Sequence, residues 1–325
     1  MADADPTDAL ALPDLAAIRA AQARIAPYVH RTPVLTSRSL DEATGARLFV
    51  KCENLQKVGA FKARGACNAV FSLPDDAAAR GVVTHSSGNH GAALAYAAQQ
   101  RGIPAHVVMP ENAPKIKVAN VRGFGAHVHF CAPTLAAREA ACADVERATG
   151  ATLVHPYDDC AVIAGQGTAT LELLDAVPDL DVVVAPVGGG GLLSGTAIAA
   201  QGVRPGIAVF GAEPAGADDA ARSFATGVLQ AMPHAHTIAD GLRGALSART
   251  LRALRAHVAA IGTCTEPGIV AAMRMTWERM KLVAEASSAV PLAAMLEGTL
   301  AVRGKRVGVI LTGGNVDLDR LPWQS

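Results

Sequence analysis

The chain has 325 residues, half of them hydrophobic, with Lys+Arg and Asp+Glu balanced at 29 each. That length allows a large core and about two domains. The even charge, with no basic stripe and no long run of one sign, excludes a sequence-independent nucleic-acid binder and gives no support to a membrane-surface role.

The opening MADADPTDAL is acidic and has no basic region before an apolar stretch, which argues against a signal peptide. The most apolar window, residues 182–200, is interrupted by Pro186 and by Gly188 to Gly191, which argues against a membrane-spanning helix. The cysteines at 52, 67, 131, 142, 160 and 264 form no CxxC pair. They read as reduced core cysteines of a cytoplasmic protein.

Short runs rich in Val and Ile alternate with Ala-rich stretches. In chain order the pattern predicts a strand at 46–52, a helix at 62–71, a strand at 81–85, a helix at 89–101, a strand at 105–109 and a helix at 115–124. A strand at 127–130 follows, then helices at 135–149 and 165–176, a strand at 182–185, a helix at 193–201, a strand at 208–212, a helix at 267–283 and a strand at 307–311. Such alternation predicts an α/β protein with parallel sheets covered by helices. Two blocks are expected, with a smaller one at 81–158 inserted into a larger one made of 1–80 and 159–325.

Five segments carry chemistry. In KVGAFKARGACNAV, Lys62 stands among small and apolar neighbours at the expected start of a helix. A solvated lysine is the bland reading. Burial would favour the neutral amine, which is the form that attacks an aldehyde. In VVVAPVGGGGLLSG, a buried strand runs into Gly188, Gly189, Gly190 and Gly191 and then a helix. Converging backbone N–H groups and a helix N-terminus suit a phosphate. No GK[ST] follows and the GxGxxG spacing is missing, so this is neither a Walker loop nor a dinucleotide fingerprint. A plain strand-to-helix turn needs fewer glycines.

In THSSGNHGAALAYAA, Ser86, Ser87, Gly88, Asn89 and His90 lie between a strand and a helix, a setting that suits a carboxylate. Asn89 as a helix cap is the plainer alternative. In VILTGGNVDL, Thr312 and its glycines follow a late strand, where ligands of parallel sheets often sit. In GAEPAGADDA, Glu213 and Asp219 offer two carboxylates to Mg2+ or Ca2+, against the default of solvated acids. His127 and His129 alternate along a strand and His234 and His236 share a loop, but neither pair has a visible third zinc ligand.

The motifs AFKARGA, SSGNHG, VGGGGLLSG and LTGGNVDL, in this order and spacing, resemble the fold-type-II pyridoxal-phosphate enzymes, and within them the serine racemase and serine/threonine dehydratase family. The likeness runs from about Arg31 to Asp317. It implies the two-domain α/β fold of that family, pyridoxal 5'-phosphate as cofactor and a homodimer. By resemblance, Lys62 is the Schiff-base lysine and a proton carrier. Phe61 packs near the cofactor, with Gly241 on the other side of its ring. Asn89 bonds the pyridoxal hydroxyl, Gly188 to Gly191 hold the phosphate, and Thr312 bonds the pyridine nitrogen.

Ser86, Ser87, Gly88, Asn89 and His90 surround the substrate carboxylate, and Ser87 occupies the opposite-face acid/base position of the racemases. Glu213, Asp219 and the carbonyl of Ala217 match a divalent-cation site. The implied activity is α,β-elimination on a small 3-hydroxy amino acid such as L-threonine or L-serine, giving a 2-oxo acid and ammonia. Serine racemisation and 3-hydroxyaspartate dehydration are the near alternatives. Ser87 tilts toward these, and Tyr157 tilts back toward dehydratases. Arg138 could meet a second substrate carboxylate, although an exposed helical arginine is the blander reading. From other classes, a mononucleotide-binding protein would not need Lys62, and a non-catalytic pyridoxal-phosphate carrier would show no turnover.

Overall fold

The computed structural model describes residues 10–324 apart from 87, 114 and 233. Ten strands are present among them: β1 Val34–Leu35, β2 Arg47–Cys52, β3 Val82–His85, β4 Ala105–Pro110, β5 His127–Cys131, β6 Thr152–Leu153, β7 Val182–Pro186, β8 Ala208–Pro214, β9 Ala260–Cys264 and β10 Arg306–Leu311. They form a six-stranded sheet in the order β1-β2-β10-β7-β8-β9 and a four-stranded sheet in the order β5-β4-β3-β6. Every pairing is parallel except β1 with β2. All strands of the smaller sheet come from chain between β2 and β7, so the smaller α/β unit is inserted in the larger. We place the division near residues 81 and 158 as a proposal.

The central strands explain this arrangement. All five residues of β7, VVVAP, are buried. A strand apolar on both faces needs helices on both sides, which parallel crossovers supply. The helix Cys160–Ala176 covers one face, and Asp159 caps it by accepting from the N–H groups of Ala161 and Val162 at 2.7 and 3.0 Å.

This helix meets Lys62–Ser72, the helix that starts at the lysine, through facing glycines. A Cβ built on Gly165 would stand 2.6 Å from the Gly65 Cα, so any side chain there would push the helices apart. A buried charge cluster then locks the same helix. Arg64 is fully buried and grips Glu53 with Nε and Nη2 at 2.7 and 2.8 Å. It also grips Glu172 with Nη1 and Nη2, both at 2.8 Å. Lys51 completes the cluster by donating to Glu172 at 2.6 Å. Two positive and two negative groups therefore sit together out of water, two residues from Lys62.

All six cysteines are free, and five of them are buried. No helix among the described residues is long and apolar enough to cross a membrane.

Candidate active site

The candidate residues lie at the carboxyl ends of strands from both sheets. Lys62 opens its helix, and its Nζ donates to the carbonyl of Pro156 at 2.7 Å. The Phe61 ring centroid is 5.2 Å from the same nitrogen. Burial pulls the Lys62 pKa down to about 8, and no acidic partner opposes it. Pro156 leads into Tyr157, and a Cβ built on Gly189 would stand 2.3 Å from the Tyr157 ring. The lysine and the tetraglycine turn therefore share one wall, joined through Pro156 and Tyr157.

The turn itself has the form of an anion cradle. Gly190 has φ +86 and precedes the helix Gly191–Val203, whose first N–H groups have no partner within the helix. A Cβ on Gly188 would stand 2.9 Å from the Leu242 Cα and 3.3 Å from the Gly241 carbonyl oxygen. Gly241 lies in the turn Asp240–Leu242, and its N–H donates to the Ser287 hydroxyl at 3.1 Å.

The Thr312 carbonyl accepts from the Phe61 N–H at 2.9 Å, which ties the end of β10 to the lysine segment. The Thr312 hydroxyl is buried and lies 2.9 Å from the Ser288 hydroxyl. Ser288 is itself held by the Gly313 N–H and carbonyl, both at 2.7 Å.

On the smaller unit, Asn89 begins the helix Asn89–Arg101 with Gly88 before it. Its amide donates to both carboxylate oxygens of Glu285 at 3.0 and 3.2 Å, and its own oxygen accepts from Asn315 at 2.8 Å. A cavity of about 240 Å³ opens beside it, lined by Val58, Gly88, Asn89, Lys117 and Asn315 among others. Ser86 bonds the Gly88 N–H at 3.3 Å. His90 is buried, with Nε2 3.1 Å from the Val154 carbonyl, and burial holds its pKa well below the usual imidazole value. Its ring therefore faces the interior of the smaller unit. Ser87 lies outside the described residues.

The residue patterns did not reveal Glu285, Ser288 or the pairing of Lys117 with Asp240 across the two units. Burial raises the Glu285 pKa to about 7, with the nearby Asp240 charge adding to the effect and the Asn89 amide opposing it. The one available signal was an acidic residue at the entry to the Ala-rich helix Ala286–Leu296.

The acidic pair forms a second locus at the end of β8, beside the glycine turn, since the Val187 N–H donates to the Ala212 carbonyl at 2.9 Å. Glu213 is fully buried and accepts from the Ala220 and Ala221 N–H groups at 3.1 and 2.8 Å. Neither buried oxygen of Asp219 meets a full hydrogen-bond partner, though the Leu246 N–H lies nearby. Burial pushes Glu213 up to about 9 and Asp219 up to about 6. Ala217, in the turn Ala215–Ala217, is completely buried. Two desolvated carboxylates, of which Asp219 is short of donors, suit a hard cation completed by backbone oxygens and water. Among the described residues, no three His, Cys, Asp or Glu side chains are arranged to hold a metal on their own.

A desolvated amine, an anion cradle and a buried neutral hydroxyl on one wall suit pyridoxal phosphate. The family model described as "Pyridoxal-phosphate dependent enzyme" matches residues 25–313. The chain belongs to this family. It is 52% identical to the beta-hydroxyaspartate dehydratase of Paracoccus denitrificans, over 94% of this chain and 96% of that protein. Maize serine racemase superposes with a TM-score of 0.93 at 48% identity, covering 95% of each chain. A threonine deaminase from T.th. superposes with a TM-score of 0.90 at 44% identity, covering 95% of this chain and all of that one. As a member of the family the chain is a pyridoxal-phosphate enzyme with the fold-type-II architecture, related to dehydratases and racemases of small amino acids.

Proposed function

We propose that this enzyme eliminates water from a small 3-hydroxy amino acid, the Cα proton and the β-hydroxyl leaving together as H2O, and that the released enamine tautomerises and takes one water back on hydrolysis, giving a 2-oxo acid and ammonia. The carrying observation is the pairing of an amine of lowered proton affinity, Lys62, with a neutral hydroxyl, Thr312, on the same wall. When bound, the cofactor supplies an electron-accepting ring that acidifies the substrate Cα–H. Lys62 would hold the cofactor through its amine, and the same amine, when free and neutral, would take the Cα proton.

The Thr312 hydroxyl would offer the ring nitrogen an uncharged partner, a setting that would favour loss of the β-hydroxyl. Gly188 to Gly191 would hold the phosphate through backbone N–H groups, with Phe61 and Gly241 to flank the ring. Asn89, fixed by Glu285 and Asn315, would bond the ring hydroxyl. Ser86, Gly88 and the start of the helix at Asn89 receive the substrate carboxylate, together with Ser87 and the backbone of His90.

Arg138 bears on the substrate. It is half-buried and forms no ion pair among the described residues, and its charge reaches His85 and Tyr157 together with the opposing charge of Glu139. A guanidinium near His85 and Tyr157 and outside any ion pair favours a substrate with a second carboxylate, 3-hydroxyaspartate, over L-serine or L-threonine. Serine racemisation is the second reading. It rests on Ser87 and on the likeness to serine racemases.

We also assign a divalent cation, Mg2+ or Ca2+, to Glu213, Asp219 and the Ala217 carbonyl. A cytoplasmic setting is proposed from the unpaired cysteines, and a homodimer from the family resemblance of the motifs. The test is a panel of L and D serine, threonine and the 3-hydroxyaspartate isomers, read for both 2-oxo acid and enantiomer. Oxo-acid release is expected, with Arg138→Ala losing hydroxyaspartate turnover selectively. Enantiomer exchange without oxo acid would overturn elimination.

A further inference from the structure

We propose that His106, His127 and His129 form a binding site for a divalent transition-metal ion of the zinc class, separate from the oxygen ligands at Glu213 and Asp219. His127 and His129 alternate along the edge strand β5 and so face the same side of the smaller sheet. The third imidazole, which the local sequence does not reveal, comes from β4. The strands run in register with His106 opposite His127 and Val108 opposite His129, which puts all three rings on that side.

The His106 ring centroid is 5.1 Å from that of His127 and 5.3 Å from that of His129. His106 Nδ1 and His129 Nε2 are 3.1 Å apart. Two imidazole nitrogens bound to one tetrahedral zinc, each at about 2.0–2.1 Å, stand roughly 3.3 Å from each other. The spacing of that pair is close to what a shared ion needs, and the ion would replace the hydrogen bond between the rings.

His127 is exposed, so its ring can turn toward the same point without disturbing packed neighbours. As placed, the three rings do not yet converge. Binding therefore requires that rotation, with water as the fourth ligand. An all-imidazole donor set selects zinc-class ions over Mg2+ and Ca2+, which take oxygen. His106 and His127 lie toward the amino ends of their strands, whereas residues 86–90 follow the carboxyl end of β3. The ion would thus pin the edge strand to its neighbour without touching the catalytic cleft.

The experiment titrates ZnCl2 into the holoenzyme in saturating Mg2+, with calorimetric readout, and records zinc X-ray absorption on the wild-type complex. One zinc per chain is expected, with an imidazole nitrogen shell at about 2.0–2.1 Å and no sulfur. His127→Gln and His129→Gln should each weaken binding about tenfold or more while circular dichroism and the cofactor spectrum stay unchanged. Zinc affinity unaltered in both variants, a sulfur shell, or no wild-type binding at millimolar zinc would each overturn the site. Because the absorption measurement uses unmodified protein, its result does not depend on a variant folding.

Discussion

Replacing Arg64 by Met should strongly destabilise the protein. Arg64 makes four contacts of 2.7–2.8 Å with the carboxylates of Glu53 and Glu172. It also donates to Thr168 at 3.2 Å and to the His30 carbonyl at 3.3 Å. Its removal leaves two buried carboxylates sharing only Lys51. Breaking a buried ion pair from one side costs about 3–5 kcal/mol, a large part of a total stability of about 5–15 kcal/mol.

The loss has a pH signature. Burial alone would raise the Glu53 pKa, but the charge and hydrogen bonds of Arg64, helped by Thr32, more than reverse this and hold it below the usual carboxylate value. A depressed carboxylate contributes stability above its unfolded pKa, and that contribution is lost as pH falls through the folded pKa. The difference between wild type and variant should therefore be full at pH 7 and shrink under acid conditions. Urea unfolding at several pH values measures it, with Glu53→Gln added for a double-mutant cycle. A loss below about 1 kcal/mol at pH 7, or additive single losses, would refute the reasoning.

Three other outcomes follow from the site. Cofactor-free enzyme should capture pyridoxal phosphate about tenfold faster per pH unit below pH 8 and level off above it, because the amine with a pKa of about 8 reacts when neutral. Stopped-flow absorbance checks this, and a flat profile would contradict it. Gly189→Ala should cut cofactor affinity by about tenfold or more, since its Cβ meets the Tyr157 ring and overpacking costs about 1–3 kcal/mol. Equilibrium dialysis measures that affinity. For Glu213, whose folded pKa is raised, cation-free stability should fall as pH rises from 4.5 toward about 9. Mg2+ should then raise the melting temperature at pH 8, and Asp219→Asn should abolish the response.

Local patterns made much of the fold legible. The seven strands read from sequence all occur, because a central strand such as VVVAP is a continuous apolar run in any context. Three strands escaped detection: β1 and β6 because two residues carry no period, and β9, AIGTC, because Gly262 and Thr263 interrupt its apolar run. One helix expected over 267–283 is instead Glu266–Met275 followed by a π turn, Thr276–Met280, that ends at Lys281 with φ +59. There the Thr276 hydroxyl bonds back to the Ala272 carbonyl at 2.9 Å, and the Trp277 ring N–H reaches the Ala284 carbonyl at 2.9 Å. Periodicity does not register either contact. The helix Ala286–Leu296 carries Pro291 inside it, which reads as a break.

The site was legible where chemistry is local, as in the tetraglycine turn and the lysine with its small neighbours. It was hidden where partners meet across the fold. Glu285 acquires its role from Asn89, 196 residues away, and His106 from His129 on the next strand.

The most direct measurement is borohydride reduction of the coloured holoenzyme followed by peptide mapping. Bleaching of the visible band and a pyridoxyl adduct on Lys62 alone are expected. Label on another lysine, or a protein that stays colourless with added cofactor, would contradict the assignment of Lys62 as the cofactor's anchor.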